Sequence, residues 1–299
     1  MTVATSPSAL QKGPRVSRRT LLKAGVGGAA ALALYASEIE RHWIEVVHTE
    51  IRLRGLPEAF HGLRVAQLSD IHKDEFTEPF FVREAVNRIN RLRPDVVLLT
   101  GDFVSDQPLG VPFAVGAAWQ CANLLTGLEC KQRYAVLGNH DVAVGAPAVI
   151  EALTANGITM LENTHVPLEK GGARLWLAGV DDPVQGWPNP ERAIPDSIRN
   201  IASEPVILLC HAPDYADTLA ADPVGQAIGL VLSGHTHGGQ VRLPLLGAMQ
   251  LPLMGKKYVH GHFRFGKMQL YVNRGLGTVG VPFRFDCPPE ITLHTLLPA

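Results

Sequence analysis

Five times along this chain an apolar run ends abruptly in a cluster of aspartate, asparagine or histidine. Residues 64–68 lead into Asp70-Ile71-His72, and 95–99 into Gly101-Asp102. Residues 134–137 lead into Gly138-Asn139-His140-Asp141, 205–209 into His211, and 229–232 into Gly234-His235-Thr236-His237. Short continuous apolar runs bounded by Gly, Asp or Pro suit strands covered on both faces. In open α/β sheets, ligands gather at the carboxyl edge, where strand ends converge. One such Asp or His is ordinarily a turn residue or a helix cap. Five in one chain constrain the fold much harder, because a single sheet edge has to present them all.

The intervening segments fit that frame. Residues 79–92 carry apolar side chains at helical spacing with Pro79 in the first turn, which predicts a helix. Residues 112–125 and 147–155 predict two more, and 158–161 and 175–180 further strands. Beyond 240 the pattern changes: 240–243, 269–272 and 291–297 read as strands separated by Gly- and Pro-rich loops, predicting a mixed or antiparallel edge. With 299 residues and 46% hydrophobic side chains, the chain buries a core without staples. The expected fold is an α/β sandwich, with residues 37–299 as a single domain.

Charge is unevenly placed. Residues 1–36 hold Lys12, Arg15, Arg18, Arg19 and Lys23 and no acid, leaving 22 basic against 28 acidic residues in the remainder. An acidic main domain lacks the basic footprint of a nucleic-acid binder. Ser17-Arg18-Arg19 is followed by small and apolar residues over 24–35, an order similar to a bacterial twin-arginine export signal. That stretch is shorter than the ~20 residues a spanning helix needs. Residues 1–36 are therefore expected to be a signal or membrane anchor. The chain is expected to meet the twin-arginine machinery and to reside in the periplasm or cell envelope, held at the inner membrane if the leader is kept.

The clustered donors are imidazoles, carboxylates and one carboxamide, without thiolate. Mixed imidazole and carboxylate ligation suits Mn, Fe, Zn or Co, whereas Ca and Mg favour oxygen alone. One ion cannot use so many donors. Two divalent ions need a bridging carboxylate, for which Asp102 is the candidate.

D-x-H, G-D, G-N-H-D, a strand-terminal His and G-H-T-H, in this order, resemble the calcineurin-like metallophosphoesterase superfamily. The resemblance spans roughly residues 60–297 and implies a sandwich of two mixed β-sheets flanked by helices. It implies that Asp70, His72 and His237 hold one ion, that Asn139, His211 and His235 hold the other, and that Asp102 joins them. His140 is then the catalytic histidine. The implied reaction is hydrolysis of a phosphate ester, a diester above all, by a hydroxide bridging the ions, with His140 donating a proton to the leaving oxygen. Gly238-Gly239-Gln240, Asn273-Arg274-Gly275-Leu276-Gly277 and Pro288-Pro289-Glu290-Ile291 resemble a bacterial subgroup that is exported or membrane-associated.

Where the protein-phosphatase branch reads G-D-x-V-D-R-G, this chain reads Gly101-Asp102-Phe103-Val104-Ser105-Asp106-Gln107. The orienting aspartate and the phosphate-binding arginine of that branch are missing, which counts against phosphoserine in proteins as substrate. Asp141 either orients His140 or caps a loop. The alternatives are a pyrophosphatase acting on UDP-2,3-diacylglucosamine or another lipid-linked substrate, a cyclic-nucleotide hydrolase, and a metal-stabilised binding protein without catalysis.

Other residues carry weaker signals. Cys210 alternates away from His211 and reads as a buried thiol, and spacing leaves a pairing of Cys121 with Cys130 open. His42, His48, His61, His165 and His294 read as surface or core residues. His260 and His262 with Lys256, Lys257 and Arg264 form a local basic patch suited to a solvated loop or to contact with substrate phosphate or lipid headgroups. Residues 243–254 form an apolar loop next to the last cluster, suited to packing, to holding an acyl chain or to touching a bilayer surface.

Overall fold

The computed structural model describes residues 17–74, 76–106 and 110–299. Lys12 and Arg15 of the basic N-terminal segment, and Gln107, lie outside them. Helix α1 (Arg18–Leu34) starts at Ser17, whose Oγ accepts from the Thr20 amide. None of its residues is buried. The strand and helix order then runs β1 (Glu45–Leu53), β2 (Arg64–Leu68), α2 (Pro79–Leu92), β3 (Val96–Leu99), α3 (Val111–Leu125), β4 (Arg133–Ala135), α4 (Asn139–Ala155), β5 (Thr159–Met160), β6 (Thr164–Lys170) and β7 (Ala173–Gly179). It continues through β8 (Val206–Leu209), β9 (Ile228–Ser233), β10 (Arg242–Leu243), β11 (Gly247–Ala248), β12 (Gly261–Phe265), β13 (Met268–Val272) and β14 (Glu290–Pro298).

Two six-stranded sheets carry the fold, in the orders β1-β14-β2-β3-β4-β5 and β12-β13-β9-β8-β7-β6. Each has a parallel centre and an antiparallel pairing toward an edge. In the first, β2 to β5 are parallel and β14 opposes β2; in the second, β7, β8, β9 and β13 are parallel, with β12 and β6 antiparallel outside them. Ile51, Leu98, Leu177, Leu209 and Leu232 fill the space between the sheets. Helices α2, α3 and α4 cover the outer face of the first sheet through a second cluster, to which α2 contributes Phe81, Val82, Ala85, Val86 and Ile89. A third cluster covers the outer face of the other sheet and includes Cys210. This is the expected α/β sandwich of two mixed sheets.

The structure departs from the sequence reading at three places and answers a fourth point that spacing left open, the state of Cys121 and Cys130. Helix α4 begins at Asn139, not 147, and absorbs the G-N-H-D cluster into its first turn; the chain breaks helical geometry at Gly145 before resuming through Pro147. Strands β1, β6 and β12 were not anticipated, and all three are edge strands with partly exposed faces. Cys121 and Cys130 are both free thiols. The helical segment also extends beyond 24–35. Helix α1 alone has 17 residues, about 26 Å at 1.5 Å per residue, and helical turns continue to His42 for 25 residues in all, enough by length and composition to cross a membrane.

Because α1 buries none of its side chains, a chain beginning at Tyr35 is expected to melt within about 2 °C of the full-length protein by calorimetry. Leu98→Ala, which opens a cavity between the sheets, is expected to cost about 2–5 kcal/mol in urea unfolding.

Candidate metal centre

The parallel strands β2, β3 and β4 of one sheet and β8 and β9 of the other end at a common rim. Each expected donor follows one of those ends. Backbone bonds lock the loops together: the Asp70 amide donates to Gly101 O (2.9 Å), the His72 amide to Asp102 O (3.0 Å) and the Gly234 amide to His211 O (3.0 Å). Between sheets, the His235 amide donates to both carboxylate oxygens of Asp70, at 2.9 and 3.0 Å. Period-two alternation turns Asp70 and His72 inward while Ile71 enters the core under the helices.

Asp70, His72, Asp102, His235 and His237 all have positive φ, between 46° and 73°. Left-handed backbone at non-glycine residues costs roughly 1–2 kcal/mol each and gathers where side chains must be aimed. Room for them comes from glycine. A Cβ added at Gly138 would run into the Asp102 carboxylate, and one at Gly234 into Ser69 and the Asp70 carboxylate.

The structure brings all eight expected site residues to this rim. Asp70, His72 and His237 offer donor atoms within 4.8 Å of one another, as do Asp102, His211 and His235, and also His72, Asp102 and His140. Asp102 connects the groups. Its Oδ1 accepts from the His140 amide at 2.9 Å, while its Oδ2 lies 3.0 Å from His211 Nε2 and 3.5 Å from His72 Nε2.

Neighbouring acceptors fix which imidazole nitrogen faces inward. Ser105 gives its hydroxyl proton to Asp74 (2.9 Å) and so accepts from His72 Nδ1 (3.0 Å). Thr100 O accepts from His211 Nδ1 (2.6 Å), and Leu253 O from His235 Nε2 (2.7 Å). The opposite nitrogens therefore face the pocket. His72 Nε2 stands 3.0 Å from His237 Nε2, and His235 Nδ1 stands 3.2 Å from His211 Nε2. Burial pushes His72 down to about 3 and His235 down to about 4. Burial, then the neighbouring His72, also holds His237 well below the ordinary imidazole range. His211 moves the other way, because Asp102 outweighs the cost of burial.

These residues fit divalent metal. Burial holds His72, His235 and His237 neutral, the state a metal requires, oxygen acceptors hold the outer nitrogens of His72, His211 and His235 as they do in metal-ligating histidines, and Asn139 Oδ1 is buried with no hydrogen-bond partner.

His140 is set apart from the other histidines. It is half-buried at the start of α4, and its Nδ1 donates to Asp106 Oδ1 at 2.6 Å. Burial alone would lower its pKa, but Asp102 and Asp106 raise it. The orienting carboxylate thought missing is thus present one position further along, at Asp106. Asp141 takes the capping role: it accepts from the amides of Gly138 (3.0 Å), Phe103 (2.9 Å) and Val104 (3.3 Å).

Sequence reasoning also missed Ser105, Asp74, Asp182 and Arg284. Asp182 is buried with Oδ1 unpartnered, and its negative charge raises His211. Arg284 is fully buried, with Nη2 at 3.4 Å from His237 Nδ1. The basic patch lies elsewhere: Lys257 pairs with Asp217 (2.7 Å), and His262 bonds Gln269 (3.0 Å) within the sheet.

A cavity of about 470 Å³ opens beside the cluster, lined by Asp102, Asn139, His140, His235 and His237 on one side and by apolar residues of the 241–252 and 279–281 segments on the other.

Residues 63–239 match the family model described as calcineurin-like phosphoesterase. The chain is 35% identical to the uncharacterized metallophosphoesterase YkuE of Bacillus subtilis, covering 94% of this chain and 98% of that protein. It is 30% identical to the phosphodiesterase YaeI of Escherichia coli, covering 94% and 100%. It is 27% identical to the UDP-2,3-diacylglucosamine pyrophosphatase LpxG of Chlamydia trachomatis, covering 91% and 98%.

Ser105→Ala removes the acceptor that turns His72 inward and is expected to weaken Mn²⁺ binding by about 10–100-fold in calorimetric titration. Gly138→Ala, which displaces the Asp102 carboxylate, is expected to weaken it at least as much.

Proposed function

The chain belongs to the calcineurin-like phosphoesterase family, and from that premise we propose that it is a dinuclear metal-dependent phosphodiesterase working outside the cytoplasm. The observation that carries this reading is the single carboxylate oxygen of Asp102, 3.0 Å from His211 and 3.5 Å from His72, shared by two groups of donors. Asp70, His72 and His237 would hold one ion and Asn139, His211 and His235 the other, with Asp102 between them. Two such ions (Mn, Zn, Fe or Co) would supply an activated water for in-line attack at phosphorus and offset charge on the phosphate oxygens.

The remaining work falls to side chains. Asp106 fixes the proton of His140 on Nδ1, which leaves Nε2 to carry the second proton and give it to the departing oxygen. Asp102 and Asp106 favour the protonated imidazole that this role needs. Among the described residues lining the cavity there is no Lys or Arg. With phosphate charge offset by the ions alone, the apolar wall of the cavity favours a diester, which has a second substituent to bury there, over a monoester. The phosphodiesterase named among the relatives agrees with this preference.

Residues 37–299 would form one catalytic domain. Residues 1–36, with Arg18-Arg19 ahead of an exposed apolar helix, would be a twin-arginine leader or inner-membrane anchor that delivers the domain to the cell envelope. A second reading, hydrolysis of a nucleotide-linked acyl sugar, draws on the apolar wall of the cavity and on the pyrophosphatase relative. Its substrate is cytoplasmic, and an exported domain would not meet it.

Chelator-stripped protein should regain turnover of an aryl phosphodiester when Mn, Zn, Fe or Co is restored singly. His140→Ala is expected to lose about 10²–10⁴-fold in kcat while keeping its bound metal. Loss of metal along with turnover would make His140 a ligand instead. Arg18→Lys with Arg19→Lys should leave the protein in the cytoplasm on fractionation, and unaltered export would refute the twin-arginine assignment.

A further inference from the structure

The apolar half of the cavity is built by Val241, Met249, Pro252, Val279 and Val281, which come from two loops tied into one unit. The Arg242 amide donates to Phe285 O (2.9 Å) and the Phe285 amide to Gln240 O (3.0 Å). The Gln240 carboxamide donates to Val279 O and Val281 O, both at 3.1 Å. Beyond the cavity this unit carries Leu245, Leu246, Met249, Leu253, Val281 and Phe283 exposed to solvent. Scattered exposed leucines need no explanation, but six exposed apolar side chains on the two loops that wall a reactive site do.

The same unit roots the exposed helix. Just past α1, Tyr35 stacks edge-on against Phe285 at 6.4 Å. Ala36 O accepts from the Arg284 amide (3.0 Å), and Glu40 accepts from the Cys287 amide (2.6 Å). Helix and rim therefore leave the domain from one piece of structure. Behind the apolar loop, a groove of about 400 Å³ carries Arg242 and Lys257, the lysine paired with Asp217 and the Arg242 guanidinium bonded to Gly238 O. A guanidinium next to an apolar rim complements an anionic headgroup above hydrocarbon.

We propose that this rim rests on a lipid bilayer and that the site hydrolyses a phosphodiester bearing a long acyl or alkyl chain, the chain lying along Val241, Met249, Pro252 and Val281. The proposal rests on the phosphodiesterase reading and adds the substrate class. In the reaction, a water oxygen bonds to phosphorus and one P–O ester bond breaks. The departing oxygen takes a proton from His140, which regains one from the attacking water, giving an alcohol and a phosphomonoester.

The test compares two chromogenic diesters on the full-length, metal-restored protein in detergent micelles: methyl p-nitrophenyl phosphate and dioctanoylglyceryl p-nitrophenyl phosphate. The acyl diester is expected to show a kcat/KM at least 10-fold higher. Leu245→Ser with Leu246→Ser, and Met249→Ser separately, are expected to cut the acyl-to-methyl ratio by about 10-fold, with melting curves confirming that both variants fold. Equal wild-type rates on the two diesters, or variants that keep the ratio, overturn the lipid proposal and leave the phosphodiesterase reading standing. Failure on both diesters with every restored metal overturns the phosphodiesterase reading, and the lipid proposal falls with it.

Discussion

Imidazole nitrogens stand 3.0 Å apart in one pair and 3.2 Å apart in another, packed together in a buried pocket. Burial removes the water that would otherwise separate them, so each ring depends on its protein neighbours to hold its orientation. The arrangement persists because oxygen acceptors behind the rings hold the outer protons: Ser105 for His72, Thr100 O for His211 and Leu253 O for His235. Reversing a ring would break one of those bonds and aim an N–H into the donor cluster. Everything else at the rim follows from keeping these nitrogens inward, including two carboxylates sealed from solvent and the orphaned oxygen of Asn139. A divalent cation would take up the inward nitrogens and carboxylates together, which is why the donor chemistry and the family assignment point the same way.

The backbone carries the cost. Five donors sit at positive φ, and the adjoining glycines leave no room for a side chain. Such strain is tolerable because the strands beneath are buried on both faces and their register is fixed by side-chain alternation. Rigid strands ending in strained turns place donors from five separate segments more accurately than loops alone.

That division explains what the sequence revealed. Central strands β2, β3, β8 and β9 were legible because burial on both faces writes them as unbroken apolar runs, and the donors stood out because each follows such a run. Strands β1 and β12 were not legible: they lie at sheet edges with half-exposed faces, and their polar residues read as loop. Backbone acceptors such as Thr100 O and Leu253 O leave no trace in residue identity. Asp106 was hidden by a shift of one position against the expected pattern, although a carboxylate four residues past the bridging candidate was there to be noticed. Arg284 was overlooked because a lone arginine ordinarily reads as surface.

Arg284 also shows how the two halves of the molecule communicate. Its guanidinium is sealed from solvent and donates to four backbone carbonyls, those of Arg274, Gly275, Gly277 and Cys287. A buried charge without a bonded carboxylate is costly, and here the fork of donors satisfies it in a way that a lysine ammonium does not. Gly275 and Gly277 belong to the loop whose amides bond into the Ser69-Asp70 turn, while the backbone amide of Arg284 holds the root of the N-terminal helix. One residue thus joins the helix root, through its backbone amide, to the 274–287 loops and the His237 ring, through its guanidinium. Whatever orients the helix orients the mouth of the cavity with it.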